Sequence, residues 1–188
     1  MKTNLIVVDD FYENPDEVRK FALSQEFSVT GNYPGKRTKS FLNDGIKEGI
    51  SSVIYNVGGE VTNWFEGENG SGYTGAFQLC TSQDRTWIHS DYYNMWAGVC
   101  YLTPNAPVSG GTALYRYKET GDRESAAQKN TGFDHYDYTK WEVVDRVGNI
   151  YNRLILYPGH LYHASVDYFG NDLHSGRLFQ TFFFDTEY

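Results

Sequence analysis

The sequence predicts a mainly β fold with N-terminal helices, and three observations carry that expectation. Helix start signals and helix-period apolar spacing are confined to about the first sixty residues. From Val61 onward, short apolar segments alternate with polar or Gly-rich turns. The composition, with 16 Tyr, 12 Phe, 4 Trp and 19 Gly against 5 Pro, favours strands and tight turns. Many short strands behind two helices describe a sandwich or barrel with helices packed outside.

The first helix is expected from Pro15 to Phe27. Asn14 can cap it, Pro15 fits the first helical position, and Glu17 stands three residues after the cap in a capping-box arrangement. Its buried stripe would be Val18, Phe21 and Ala22. The second helix follows from Ile46, Ile50, Val53, Ile54 and Val57, with Gly58 and Gly59 as its stop. Strands are expected at Val61 to Phe65, Tyr73 to Cys80, Thr86 to Asp91, Trp96 to Leu102 and Thr112 to Tyr117. Four more follow at Trp141 to Val147, Arg153 to Tyr157, Tyr162 to Asp167 and Arg177 to Phe184. The polar stretch from Lys118 to Lys140 is too long for a hairpin turn and reads as a lid loop with Phe133, Tyr136 and Tyr138.

At 188 residues the chain fits one domain, with 1–60 as a supporting helical region and 61–188 as the strand-built core. Lys plus Arg number 16 against 24 Asp plus Glu, a formal charge of −8 that lacks the basic field nucleic acids and anionic membranes require. No run approaches the roughly 18 to 20 apolar residues of a membrane span, and Asp9 and Asp10 interrupt the one apolar stretch near the start. The expected location is the cytoplasm, with Cys80 and Cys100 as buried thiols rather than a disulfide.

The chemistry is concentrated in a few residues. His89 and Asp91 form a His-x-Asp step, and on extended backbone residues two apart project from one face, so both can meet one metal ion. A second such pair, His135 and Asp137, lies in the polar loop and reads as solvated. A third ligand has to come from a distant strand, and RLILYPGHLYHASVDY offers both His160 and His163. Two His and one carboxylate make the facial triad of non-haem iron(II) oxygenases, with open positions for other ligands. Beyond them, Arg177 opens the apolar segment GRLFQTFFF, where a guanidinium needs an anionic partner. A fork of this kind grips a carboxylate bidentately.

The order His89, Asp91, His163, Arg177 resembles the iron(II)- and 2-oxoglutarate-dependent oxygenase superfamily, particularly its prolyl-hydroxylase-like branch and its small bacterial and phage members. The resemblance spans roughly Gln78 to Phe184. It includes WAGVCYLTP followed by SGGTALY with Gly110 and Gly111, and the run YPGHLYHASV, whose Pro-x-x-x-x-His approach selects His163 over His160. The opening FYENPDEVRKFAL is similar to the start of some of the small members.

That resemblance implies a double-stranded β-helix, a jelly roll of cupin-like form. It implies Fe(II) held by His89, Asp91 and His163, with 2-oxoglutarate as co-substrate and dioxygen (O2) as oxidant. Arg177 would pair with the 5-carboxylate of 2-oxoglutarate, and Tyr101 would offer its hydroxyl to the same group. Gln78 is the candidate contact to the 1-carboxylate or a bound water. Phe179 departs from the family pattern, in which a Ser or Thr often stands two residues after the arginine. The implied reaction is hydroxylation of a C–H bond in a peptide side chain, amino acid or small metabolite, releasing succinate and carbon dioxide. Asp91 argues against the halogenating variant, which replaces this carboxylate. The alternative is a cupin-like module that binds a ligand without catalysis or uses another metal.

Overall fold

A computed structural model describes residues 3–66, 72–91, 93–125 and 134–188. The strands are β1 (Ile6–Val8), β2 (Lys36–Ser40), β3 (Glu60–Trp64), β4 (Ala76–Cys80), β5 (Trp96–Tyr101), β6 (Thr112–Tyr117), β7 (Trp141–Val147), β8 (Leu154–Pro158), β9 (His163–Ser165) and β10 (Arg177–Glu187). Two helices, α1 (Pro15–Leu23) and α2 (Asp44–Tyr55), precede β3, and short 3-10 turns occupy Val108–Gly110 and Tyr138–Lys140. The fold is mainly β with two helices, and every strand pairing is antiparallel.

A seven-stranded sheet runs β1-β8-β5-β10-β4-β2, with β3 also paired to β10, and a three-stranded sheet runs β7-β6-β9. The period-two alternation of the large sheet sorts its side chains into two layers. Trp96, Cys100, Leu154, Leu156, Leu178, Phe182 and Phe184 pack with Ala22, Ile46, Ile50 and Ile54 of the helices. Their neighbours Ala97, Val99, Tyr101, Ile155, Tyr157, Phe179 and Phe183 face the smaller sheet and meet Leu114, Val147 and Leu161. Both faces of the large sheet are therefore covered, which is why its strands read as nearly continuous apolar runs.

The helices form largely where their patterns place them. Asn43 caps α2 by accepting from the Ile46 amide at 3.0 Å, and Ile46, Ile50 and Ile54 are buried. Gly58 ends the run with φ 85°, a left-handed conformation suited to glycine. The capping box at α1 does not form: Asn14 makes no side-chain cap, and the helix rests on Pro15 at its first turn and on Asp16 and Glu17 near its positive end. It stops at Leu23, four residues before the expected Phe27, because Ser24 turns back to bond the Phe21 carbonyl with its hydroxyl. Phe21, expected in the buried stripe, is half exposed and packs edge-on against Phe41.

Three strand expectations change. Thr86 to Asp91 is not a strand but an isolated bridge, His89 opposite His163. Strands β1 and β2 are additional, so the first sixty residues supply two strands of the large sheet as well as the helices. Of the expected lid, Phe133 lies outside the described residues. The flanks of that segment are tied down: the Tyr162 amide donates to Arg123, the Ser125 amide to His160, and the Ile88 amide to His135. His135, expected to be solvated, also places Nδ1 2.6 Å from the Ile88 carbonyl. No helix among the described residues is long and apolar enough to cross a membrane.

Candidate metal centre

His89 and His163 sit directly opposite one another and exchange both backbone hydrogen bonds, His89 N–H to His163 O at 2.9 Å and His163 N–H to His89 O at 2.8 Å. In such a pair the two side chains leave the same face, and their rings lie 4.4 Å apart. Asp91, two residues on, donates its amide to the Gly159 carbonyl at 2.7 Å, which turns its carboxylate toward both rings. Gly159 is required there, since a Cβ would lie 2.6 Å from the Asp91 carbonyl oxygen.

The ring nitrogens are sorted by their backbone partners. Nδ1 of His89 lies 3.1 Å from the Trp87 carbonyl and Nδ1 of His163 lies 2.8 Å from the Leu161 carbonyl. A proton on each Nδ1 satisfies those carbonyls and leaves both Nε2 atoms as free lone pairs. Those Nε2 atoms approach Asp91 at 3.9 Å from His89 and 3.3 Å from His163. The three ligand atoms lie within 4.8 Å of one another, and among the described residues no other group of three or more His, Cys, Asp or Glu side chains is this close. His160 is elsewhere, paired with Glu124 at 3.1 Å.

Electrostatics favour the ligating forms. Burial, and then the neighbouring His163, push His89 down to about 4 and keep its imidazole neutral. Burial would raise the Asp91 carboxyl, but the facing imidazole of His163, then His89 and Arg37, hold it at about 2. A carboxylate and two imidazoles that turn their Nε2 atoms to one face are a donor set for a divalent transition ion.

The centre opens on a cavity of about 310 Å³ between the sheets. Its wall includes Tyr33, Arg37, Gln78, Trp87, Thr112 and Phe179. Arg177 is completely buried just behind that wall, its guanidinium carbon 4.3 Å from the Phe179 ring and 5.8 Å from that of Tyr168. It donates from Nε to the Gly110 carbonyl at 2.9 Å and from Nη2 to the Gly111 carbonyl at 3.2 Å. Nη1 is buried without a partner, and no carboxylate among the described residues pairs with this cation. Tyr101 lies beside it, ring centroid 5.3 Å from the guanidinium carbon, and donates its hydroxyl to Thr112 Oγ1 at 2.9 Å.

Gln78 is on the same wall, but both ends of its amide are occupied. Nε2 donates to the Pro34 carbonyl at 2.7 Å, and Oε1 accepts from Arg37 Nε at 2.6 Å. Arg37 is the cavity residue that sequence reasoning missed. It lies on β2, whose segment KRTKS has no apolar alternation to announce a strand; the one available signal was a β-branched Thr38 between cations after the Pro34–Gly35 turn. Burial lowers the Arg37 pKa, while Tyr33 and then Asp91 favour its charge.

The fold is shared with solved structures of low sequence identity. HygX from Streptomyces hygroscopicus with nickel and 2-oxoglutarate bound is 11% identical at a TM-score of 0.58, covering 96% of this chain and 82% of its own. A second HygX structure, which also holds hygromycin B, matches at 0.56 with the same identity and coverage. A Trichoplax adhaerens prolyl hydroxylase in complex with a hypoxia inducible factor peptide fragment is 15% identical at 0.53, covering 97% of this chain and 84% of its own. These neighbours agree with the oxygenase resemblance of the sequence. Among curated proteins, no sequence matches this chain. Over residues 1–184 it matches the profile of a family of unknown function, DUF6445, and the chain belongs to that family.

Proposed function

We propose that this protein is a non-haem Fe(II), 2-oxoglutarate-dependent dioxygenase, built as one domain on a double-stranded β-helix, that hydroxylates a C–H bond of its substrate. The observation that carries this reading is the pairing of two unfilled sites, one on the cavity wall and one buried just behind it. One is a His89, Asp91, His163 face with both Nε2 lone pairs free. The other is Arg177, a fully buried cation with an orphan Nη1 and, among the described residues, no carboxylate partner. A buried unpaired guanidinium is costly, and an anionic ligand removes that cost. The dicarboxylate that suits both sites would meet the metal at one end and Arg177 at the other.

Bound iron would supply the oxidising chemistry, using dioxygen and 2-oxoglutarate and releasing succinate and carbon dioxide. The chain's own contribution is positional. The Trp87 and Leu161 carbonyls fix the imidazole tautomers, and the His89–His163 backbone pair fixes their separation. Gly110 and Gly111 hold the Arg177 fork by two of its nitrogens and leave the third for a carboxylate oxygen. In this reading the Tyr101 hydroxyl would turn its one proton from Thr112 Oγ1 to that carboxylate as a second contact. Gln78 acts through Arg37 rather than by touching the co-substrate. Phe179 closes one side of Arg177 with an aromatic face where related proteins often place a hydroxyl.

The HygX structure with hygromycin B and the prolyl hydroxylase with its peptide fragment support a small molecule or a peptide as the class of substrate. The test is anaerobic loading with Fe(II) and then 2-oxoglutarate, followed by oxygen exposure with labelled co-substrate. We expect a weak visible charge-transfer band and labelled succinate. His163→Ala should abolish both, and Arg177→Met should raise the 2-oxoglutarate requirement roughly ten- to hundredfold, the worth of a hydrogen-bonded charge. Iron bound without any band or 2-oxoglutarate affinity would overturn the reading.

A further inference from the structure

Arg37 is the one Arg or Lys among the described residues that line the cavity, and it makes no hydrogen bond or ion pair with His89, Asp91 or His163. On β2 it pairs in register with Gln78 of β4, which pairs with Phe179 of β10, which pairs with Tyr101 of β5. Antiparallel partners share a face, so this row crosses the large sheet on its cavity side, with Arg37 at the outer end. The guanidinium is held from two directions. Its Nε donates to Gln78 Oε1 at 2.6 Å, and its carbon lies 3.9 Å from the centre of the Tyr33 ring. Gln78 is itself fixed by Pro34, in a turn whose next residue, Gly35, has φ 74° and runs so close to β4 that a Cβ would lie 2.1 Å from the Leu79 carbonyl oxygen.

That anchoring leaves the terminal nitrogens Nη1 and Nη2 without a hydrogen bond among the described residues, and neither is sealed in the core. No carboxylate among the described residues forms an ion pair with Arg37. A guanidinium held at Nε keeps its Nη1–Nη2 edge available for bidentate pairing with a carboxylate.

We infer that Arg37 binds a carboxylate of the substrate, which makes the substrate a monoanion with an apolar or aromatic body. The inference rests on the oxygenase reading for its charge balance. The metal's two positive charges and that of Arg177 are matched by Asp91 and the two carboxylates of 2-oxoglutarate, and the charge of Arg37 is left over. One further negative charge neutralises the cavity. A phosphate dianion would need another cation, and among the described residues no other Arg or Lys lines the wall. Tyr73, Trp87, Tyr93 and Phe183, also on the wall, offer faces for the body of the molecule.

Benzoate and benzamide are a matched pair of probes, alike in shape and different in charge. Each is titrated by ligand-observed NMR into full-length protein loaded with Zn(II) and saturated with 2-oxoglutarate, so that the metal and Arg177 are already occupied. Wild type should bind benzoate at least about tenfold more tightly than benzamide, a difference of about 1.4 kcal/mol. That preference should vanish in Arg37→Met and survive in part in Arg37→Lys, which keeps the charge without the fork. It should shrink in Gln78→Leu, which keeps the arginine but releases its anchor. The affinity for 2-oxoglutarate should stay within about twofold in Arg37→Met.

Equal binding of the two probes to wild type, binding of neither, or an undiminished preference in Arg37→Met overturns the inference. A larger loss of 2-oxoglutarate than of benzoate in that variant assigns Arg37 to the co-substrate and overturns it as well. If Arg37→Met does not fold, the lysine and Gln78→Leu variants decide. A parallel titration without Zn(II) and 2-oxoglutarate separates the two hypotheses: a benzoate preference in a protein that never binds 2-oxoglutarate sinks the oxygenase reading and leaves the anion site standing.

Discussion

Gly159 shows how narrowly single residues define this centre. It carries no functional group, yet its carbonyl receives the Asp91 amide and its Cα lies where any side chain would strike the Asp91 and Asn94 backbone. Gly159→Ala should therefore push the carboxylate off the two imidazoles. We expect divalent metal affinity to fall by roughly ten- to a hundredfold, as for other losses of support around a metal ligand. The check is a Ni(II) titration beside far-ultraviolet circular dichroism; unchanged affinity in a folded variant would show that the Asp91 segment tolerates displacement. At this scale the sequence was informative where chemistry has a linear signature. His89, Asp91 and His163 are drawn together, and Arg177 and Tyr101 lie side by side. Arg37 had no such signature, because its meaning comes from a sheet neighbour, Gln78, far along the chain.

Among the elements, β10 organises both layers. Its even-numbered residues Leu178, Phe182 and Phe184 face the helices, while Phe179 and Phe183 face the smaller sheet. Phe182 is fully buried against the helical layer and does not line the cavity. Phe182→Ala should cost about 3 to 5 kcal/mol of unfolding free energy, read from a urea midpoint, with 2-oxoglutarate affinity retained in the folded fraction. A loss below about 1 kcal/mol would mean that this layer repacks freely. Strands such as β6, β7 and β10 were legible because their apolar residues are dense and their turns carry Gly or polar residues. The ends of α1 and the two extra strands were not. Three-residue β1 is too short for a periodic signal, and KRTKS is held in place by its neighbour β4 rather than by its own composition. The His89 segment fails as a strand for the opposite reason: it makes one bridge to His163 and then turns away to place Asp91.

The whole molecule combines a formal charge of −8 with a cavity wall on which, among the described residues, Arg37 is the one cation and Asp91 the one carboxylate, with Arg177 buried behind it. Ligands that fill these sites bind the folded chain and not the unfolded one, so they should stabilise it by mass action. With Zn(II) present, 2-oxoglutarate at about one hundred times its Kd should add about 2.7 kcal/mol, which for a chain of this size raises Tm by roughly 5 to 10 °C. Succinate, which has both carboxylates but lacks the keto oxygen, should raise it less at equal concentration. A thermal melt checks this, and equal shifts would remove the case for chelation at the metal.

The reciprocal backbone bonds between His89 and His163 bear on the entropy of metal capture. In many small metal domains the ion must gather ligands from a disordered chain, so binding and folding are one event. Here the two imidazoles are already registered by main-chain atoms, and their rotation is restrained by carbonyls at Nδ1. The conformational freedom that a loose site would lose on binding has been surrendered during folding. An ion would thus meet a socket formed in advance, and its selectivity would be set by the spacing of three donors rather than by how far the chain can bend to suit a different radius.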